Sequence, residues 1–328
     1  MKVFSDKHHE GLTKSLYLLF EDRLGYELYT PLGMDWWTEG FWKLNDIEAT
    51  ATQYLQMGSQ PYPGYAPLTH DRPITLDGFK NTKFDIIIAS LPQHIEPFIR
   101  LRDLYQPQAK LIFQVGNHWN FDNSFPIKNI MASAKIPKLE GFNQIEYHQE
   151  FPLDIFYYEP VKPGKKIYSF INCLGVVDLY KKDWELFLEL EKLMPDWEFK
   201  SFGGQCRDSA LLLKDQADKM REATFIFHKK SGSDGYGHVI HQAMATGRVP
   251  LINYKEYKDK LAGSKIIPGM NCISLDDKTP AQIVEEIERC SEISVLTEMG
   301  ADIYNKFKEQ ANFDREQVQI QNFLSNLQ

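Results

Sequence analysis

Three short stretches of the sequence carry residue types and spacings that can do chemistry. The first is Ser231-Gly232-Ser233-Asp234-Gly235-Tyr236-Gly237, which runs straight into His238-Val239-Ile240-His241-Gln242-Ala243-Met244-Ala245-Thr246-Gly247. Glycines let a backbone come close to a ligand, and the first-turn N–H groups of the helix that follows point at it, a combination suited to phosphate. Val239, Ile240, Ala243, Met244 and Gly247 form the stripe that packs this helix on its sheet. His238 and Gln242, one turn apart, then share a different face. An ordinary connection from strand to helix, whose glycines only make the turn, has the same spacing. The second stretch is Ser5-Asp6-Lys7-His8-His9-Glu10-Gly11, where His9 or Asp6 can accept a proton from a hydroxyl group. A pair of exposed histidines capping a helix fits equally well, and neighbouring residues seldom aim at one metal ion. The third is Gly116-Asn117-His118, in which His118 can bond a ligand hydroxyl or satisfy a loop carbonyl.

These residues need elements to hold them, and the patterning supplies short apolar strands alternating with longer amphipathic stretches. That alternation predicts parallel sheets built from βαβ units. Strands are expected over Lys2–Ser5, Tyr26–Tyr29, Phe84–Ala89 and Lys110–Val115, with helices over Leu12–Leu24 and between the last two strands. Residues 31–77, rich in Pro, Gly and aromatics such as Trp36, Trp37 and Trp42, break the pattern and read as an insertion. The stiff run Glu159-Pro160-Val161-Lys162-Pro163-Gly164 predicts a boundary between domains of residues 1–160 and 161–328. Beyond it, strands are expected over Ile167–Ile171, Glu198–Phe202, Thr224–Phe227, Val249–Ile252 and Cys272–Leu275, and a helix over Lys182–Met194. Thr279-Pro280-Ala281-Gln282 has the form of a capping box with proline at the first helical position. The final helical stretch, Arg315–Leu327, reads as peripheral, with packing back on the N-terminal domain as its expected placement.

Composition narrows the function classes. The 328 residues are 43% hydrophobic and 25% charged, ordinary for a globular chain of about two domains. The 37 Lys and Arg against 45 Asp and Glu give a net charge of −8, which argues against a broad basic footprint for nucleic acid or anionic lipid, although a local cleft can still be positive. No apolar run approaches the roughly 18 residues that a membrane span needs. No secretory leader pattern opens the chain, so a cytoplasmic location is expected. Four scattered cysteines imply neither a disulfide framework nor a zinc site.

Asp234-Gly235-Tyr236-Gly237, then Ala243-Met244-Ala245-Thr246-Gly247, then Val249-Pro250-Leu251-Ile252, resembles the donor-site signature of GT-B glycosyltransferases. The likeness is to the large retaining family that includes sucrose synthases and bacterial glycan-building enzymes. There, an acidic–Gly–aromatic–Gly run opens a helix carrying a second acidic residue eight positions after the first. The resemblance implies an α/β fold of two Rossmann-like domains in tandem, with the active site in the cleft between them. It implies that Asp234 touches the transferred sugar and that Gly235, Tyr236, Gly237 and His238 lie along the donor. The ribose position falls on Gln242, where the family has an acid; an amide can pair with a diol but brings no charge. Countercharge for the diphosphate is expected from Lys182 and from Arg207 beyond the Gly203–Gly204 turn. His228 and Lys229, which end the strand before the glycine loop, are further candidates. His118 is implied near the transferred sugar, and His9 or Asp6 near the reacting centre. The implied activity moves a sugar from a nucleotide sugar, such as a UDP- or GDP-sugar, to an acceptor hydroxyl, with retention and with no required metal or other cofactor. The acceptor is a glycan, a small molecule or modified DNA. A bacteriophage-type enzyme acting on modified DNA bases is one alternative, and a non-catalytic nucleotide-sugar or glycan binding module of the same shape is another.

Overall fold

The computed structural model describes residues 1–6, 9–31, 72–74, 76–117, 124, 126–176, 178–231 and 234–328, apart from the side chains of Glu10 and Leu76. His118 and nearly all of the aromatic insertion expected over 31–77 lie outside the described residues. The described chain forms two compact units, one of residues 1–151 and 313–328 and one of residues 152–312.

The first unit begins with β1 (Lys2–Ser5) and α1 (Glu10–Tyr17), which runs on through a π-helical turn (Leu18–Arg23). Then follow β2 (Glu27–Pro31), β3 (Arg72–Ile74), α2 (Leu76–Asn81), β4 (Ile86–Ala89), α3 (Pro92–Tyr105), β5 (Lys110–Val115), β6 (Asn129–Ala132) and β7 (Asn143–Glu146). All strand pairs are parallel, in the order β3-β2-β1-β4-β5-β6-β7. The run Ile86-Ile87-Ile88-Ala89 is apolar throughout because a central parallel strand is covered on both faces. Its residues divide by parity: Ile87 and Ala89 join Phe4, Phe79 and Phe98 in one core, whereas Ile86 and Ile88 join Val3, Leu16 and Phe20 in the other. Strand order reverses between β1 and β4, so the carboxyl ends of these two strands flank a topological switch point.

The second unit contains β8 (Lys166–Ser169), a 3₁₀ turn (Asp178–Tyr180), α4 (Lys181–Leu193), β9 (Glu198–Ser201), α5 (Leu213–Glu222) and β10 (Phe225–His228). It continues with α6 (His238–Ala245), β11 (Val249–Ile252), α7 (Tyr254–Tyr257), β12 (Ile273–Ser274), α8 (Pro280–Cys290) and α9 (Ile293–Gln310). The sheet is again wholly parallel, ordered β12-β11-β10-β8-β9, and its switch point lies between β8 and β10. The capping box at the start of α8 is formed as the sequence predicts, with Thr279 and Gln282 exchanging backbone hydrogen bonds.

The last helix, α10 (Phe313–Ser325), belongs to the first unit. It is not peripheral. Ile320, Phe323 and Leu324 are buried against Leu12, Leu16 and Phe20, because their helical spacing makes an apolar stripe. Glu316 fixes its position by accepting hydrogen bonds from the backbone N–H of His148 (2.7 Å) and pairing with that ring's Nδ1 (2.7 Å). Among the described residues no helix is long and apolar enough to cross a membrane.

Candidate donor site in the second unit

At the end of β10 the chain leaves the sheet at His228 and reaches α6 ten residues later, beside the switch point of the second sheet. Two buried carboxylates tie this loop down. Asp183, on the first turn of α4, accepts hydrogen bonds from Lys229 Nζ (2.8 Å), the Ser231 backbone N–H (2.8 Å) and Ser231 Oγ (2.7 Å). Asp234 lies farther along. Its Oδ2 accepts from the Tyr257 hydroxyl (2.5 Å) and pairs with His228 Nε2 (3.0 Å), and its Oδ1 accepts from Lys230 Nζ (3.0 Å). The Lys260 ammonium bonds the Asp234 backbone carbonyl and also Glu256 (3.0 Å).

Electrostatics follow from this packing. Burial alone would push the Asp234 carboxyl up, but the Lys230 charge and the bonds from His228 and Tyr257 outweigh it, holding the group well below the usual carboxylate range. Tyr257 moves the other way: burial and the adjacent Asp234 charge hold its hydroxyl protonated, so it is a fixed donor. Burial works against the Lys230 ammonium, yet Asp234 keeps its pKa above that of a free lysine.

Gly237 makes the join between loop and helix possible. Its φ of +89° is strained for any residue with a side chain, and an added Cβ would stand 3.3 Å from the Tyr257 ring. With Gly237 as N-cap, the N–H groups of residues 238–240 have no partner inside α6 and point out of its N-terminus. The helix behind them is more buried than the amphipathic pattern predicts. Gln242 does not share an open face with His238; it is 6% exposed, and its Oε1 accepts from Gln216 Nε2 of α5 (2.8 Å). The Tyr236 ring is buried too, its hydroxyl 2.5 Å from Nδ1 of the fully buried His241. Gln310 of α9 lies 2.5 Å from His241 Nε2.

No protein-family model matches the chain, and no curated protein matches it. Solved structures do. HepE from Anabaena, in complex with UDP and glucose, is similar with a TM-score of 0.67 at 11% identity, covering 100% of both chains. Sucrose-phosphate synthase from Thermosynechococcus elongatus gives 0.62 at 10% identity over 100% of this chain and 99% of that one. An alpha-glucosyltransferase in complex with UDP-glucose and DNA containing an abasic site gives 0.60 at 11% identity over 97% and 98%. The chain has the GT-B fold. The tandem of Rossmann-like domains expected from the sequence is therefore present.

The remaining sequence candidates are distributed over this GT-B fold as follows. In the second unit Lys182 is exposed on α4, and Gly204 donates its N–H to Asn172 Oδ1 (2.8 Å), linking the loops after β9 and β8. Arg207 folds back on its own surroundings, with Nη1 on Glu191 (2.8 and 3.0 Å) and Nη2 on the Phe199 carbonyl (2.6 Å). In the first unit Asp6 is buried at the β1–β4 switch point. Its carboxylate takes the Ser90 N–H (2.7 Å), the Ser90 hydroxyl and His94 Nδ1 (2.7 Å). His9 is the N-cap of α1, its Nδ1 accepting from the Leu12 N–H (3.4 Å). Sequence reasoning missed Asp183, Lys230, His241, Tyr257 and Lys260. Lys230 carried a signal, since it follows a buried strand and precedes a glycine loop; Tyr257 and Lys260 carried none, being brought in from the far side of β11.

Proposed function

We propose that this protein is a nucleotide-sugar-dependent glycosyltransferase whose second unit holds the donor. The observation that carries the reading is the Gly237-capped start of α6 at the switch point of the second sheet. Pre-aligned N–H donors there suit a diphosphate, and their value rises in the transition state as charge collects on the departing phosphate oxygen. Gly235, Tyr236, Gly237 and His238 border that end of the helix. Gln242, held by Gln216, is proposed to face the ribose, with Lys182, Gly204 and Arg207 at the outer edge of the site. Asp234 is proposed to stand at the reacting end of the donor. The first unit is proposed to supply the acceptor side, with His9 or Asp6 near the acceptor hydroxyl and His118 near the transferred sugar. The motif resemblance supports retention of configuration and a diphosphate neutralised by protein groups without a required metal. Two of the similar structures, HepE with UDP and glucose and the alpha-glucosyltransferase with UDP-glucose, support a uridine diphosphate donor.

The test is a thermal-denaturation series with UDP, GDP, UDP-glucose and GDP-mannose. A ligand that binds only the native form stabilises it by about 2.7 kcal/mol at one hundred times its dissociation constant. A clear rise in melting temperature with at least one of them is expected, and release of the matching diphosphate on adding acceptor would establish transfer. No shift with any of the four overturns the reading.

A second reading concerns the acceptor. One structure similar to this chain is an alpha-glucosyltransferase solved with DNA, which supports trying hydroxymethylated DNA beside small acceptors. Transfer to DNA should fall steeply between low and high salt; a salt-insensitive reaction rejects that acceptor.

A further inference from the structure

We propose that the Lys230 ammonium is a ligand of the donor diphosphate, and that Asp234 is the positioning residue that fixes where this charge stands. The inference rests on the reading of the loop after β10 as a donor site. Lys230 lies two residues beyond the end of β10, and its Nζ sits 3.0 Å from Asp234 Oδ1 and 5.8 Å from the centre of the Tyr180 ring. Tyr180 closes the segment that follows β8. The ammonium therefore spans the gap between the loops after β8 and β10, where strand order reverses and α/β folds place their ligands.

Accessibility separates the two partners. The Lys230 side chain is 24% exposed, sheltered yet reachable, whereas that of Asp234 is 11% exposed. Both carboxylate oxygens of Asp234 already accept, Oδ2 from Tyr257 and His228 and Oδ1 from Lys230, which leaves little capacity for a sugar hydroxyl. A second observation points to a missing ligand. His228 is 3% exposed, and while its Nε2 faces Asp234 its Nδ1 is buried with no hydrogen-bond partner among the described residues. A buried polar atom without a partner is costly, so the end of β10 keeps an unmet hydrogen-bonding capacity next to the Asp234 cluster.

Net charge is not what this cluster offers. Lys229 is matched by Asp183 and Lys260 by Glu256, so each lysine near the loop has a carboxylate of its own. What Asp234 contributes is position. It trades some attraction for an ammonium that does not have to be ordered when the diphosphate arrives.

Calorimetric affinities of UDP, GDP, uridine and guanosine for the wild type, Lys230→Met, Lys230→Arg, Asp234→Asn and the Lys230→Met/Asp234→Asn double variant test this. Lys230→Met should weaken the bound diphosphate about tenfold or more while leaving the nucleoside unchanged. Lys230→Arg should recover part of the loss. Asp234→Asn should weaken the diphosphate, and the double variant should be no weaker than Lys230→Met within about twofold, because Asp234 acts through the lysine. Unchanged affinity in Lys230→Met, an equal loss for diphosphate and nucleoside, tighter binding by Asp234→Asn, or additive losses in the double variant would each overturn the proposal. A wild type that binds neither diphosphate overturns the donor-site reading itself, a result distinct from a wild type that binds and variants that behave like it.

Discussion

Asp234 shows how a carboxylate can stay ionised out of water. Desolvation penalises its charge, and a lysine, a histidine and a tyrosine hydroxyl together repay more than that penalty. Taking away the charge should therefore leave the half-buried Lys230 poorly matched, at a cost of about 3 kcal/mol for Asp234→Asn at neutral pH. The sign of the pH dependence follows from the lowered pKa. The carboxylate's contribution is complete above the unfolded value near 3.9 and is lost as pH falls through the lower folded value. Urea denaturation across the acid range should show the gap between wild type and Asp234→Asn closing steadily below about pH 4. A gap that stays constant down to about pH 2 would trace the loss to shape rather than charge. Of this site, Asp234 and Gly237 were legible in the sequence, because a backbone turn into a helix writes itself into adjacent residues. Tyr257 and Lys260 were not, since they meet Asp234 only through the fold of the chain beyond β11.

Helix α6 is bounded by close packing at its C-terminal end as well. A Cβ on Gly247 would collide with the Tyr158 ring at 2.6 Å, and one on Gly300 of α9 would reach the Gly247 carbonyl at 2.7 Å, so α9 lies directly against this end. The fully buried Arg248 collects the carbonyls left over there. Nη2 and Nε donate to the Arg221 carbonyl at the end of α5 (2.8 and 3.1 Å), and Nη1 donates to the carbonyls of Glu159 (2.8 Å) and Thr246 (3.0 Å). Burial pushes its guanidinium down to about 10, and it stays charged at neutral pH beside the negative ends of two helices. Arg248→Met should cost about 3 kcal/mol by leaving buried acceptors unpaired, and Arg248→Lys should recover only part. The readout is the midpoint of urea unfolding; a midpoint shift under one tenth of the wild-type value would show that water replaces the guanidinium. Hydrophobic periodicity missed this arrangement because it assigns polar residues to the surface, and the same periodicity set Gln242 apart from the packed stripe although it is buried. Apolar runs such as Ile86–Ala89 and Val249–Ile252 were legible since both faces of a parallel strand are covered. β3, three residues at the edge of the aromatic stretch, was too short to leave a pattern, whereas the two residues of β12 lie inside the strand expected over Cys272–Leu275.

At the scale of the molecule, the two sheets share a wholly parallel design and each has one reversal of strand order. The alternation of strands and helices made this architecture readable. The return of the last helix to the first unit was also expected, whereas its deep burial was not, since the stretch read as peripheral. α10 supplies Ile320, Phe323 and Leu324 to a core otherwise made from residues before Phe151. Phe323→Ala should destabilise the first unit by about 3 kcal/mol, seen as faster amide hydrogen exchange in α1 and β7. Unchanged exchange there would mean that the helix rests on the surface without stabilising it.

That return of the chain sets an order of events during translation. A ribosome adding about 5 to 20 residues per second finishes β7 many seconds before it makes Phe313. Throughout that interval, while the second unit is being synthesised, Leu12, Leu16 and Phe20 wait without their cover. The earlier-made unit is thus completed only after residues 152–312 exist, and until then the nascent chain carries an open greasy flank that chaperones can grip.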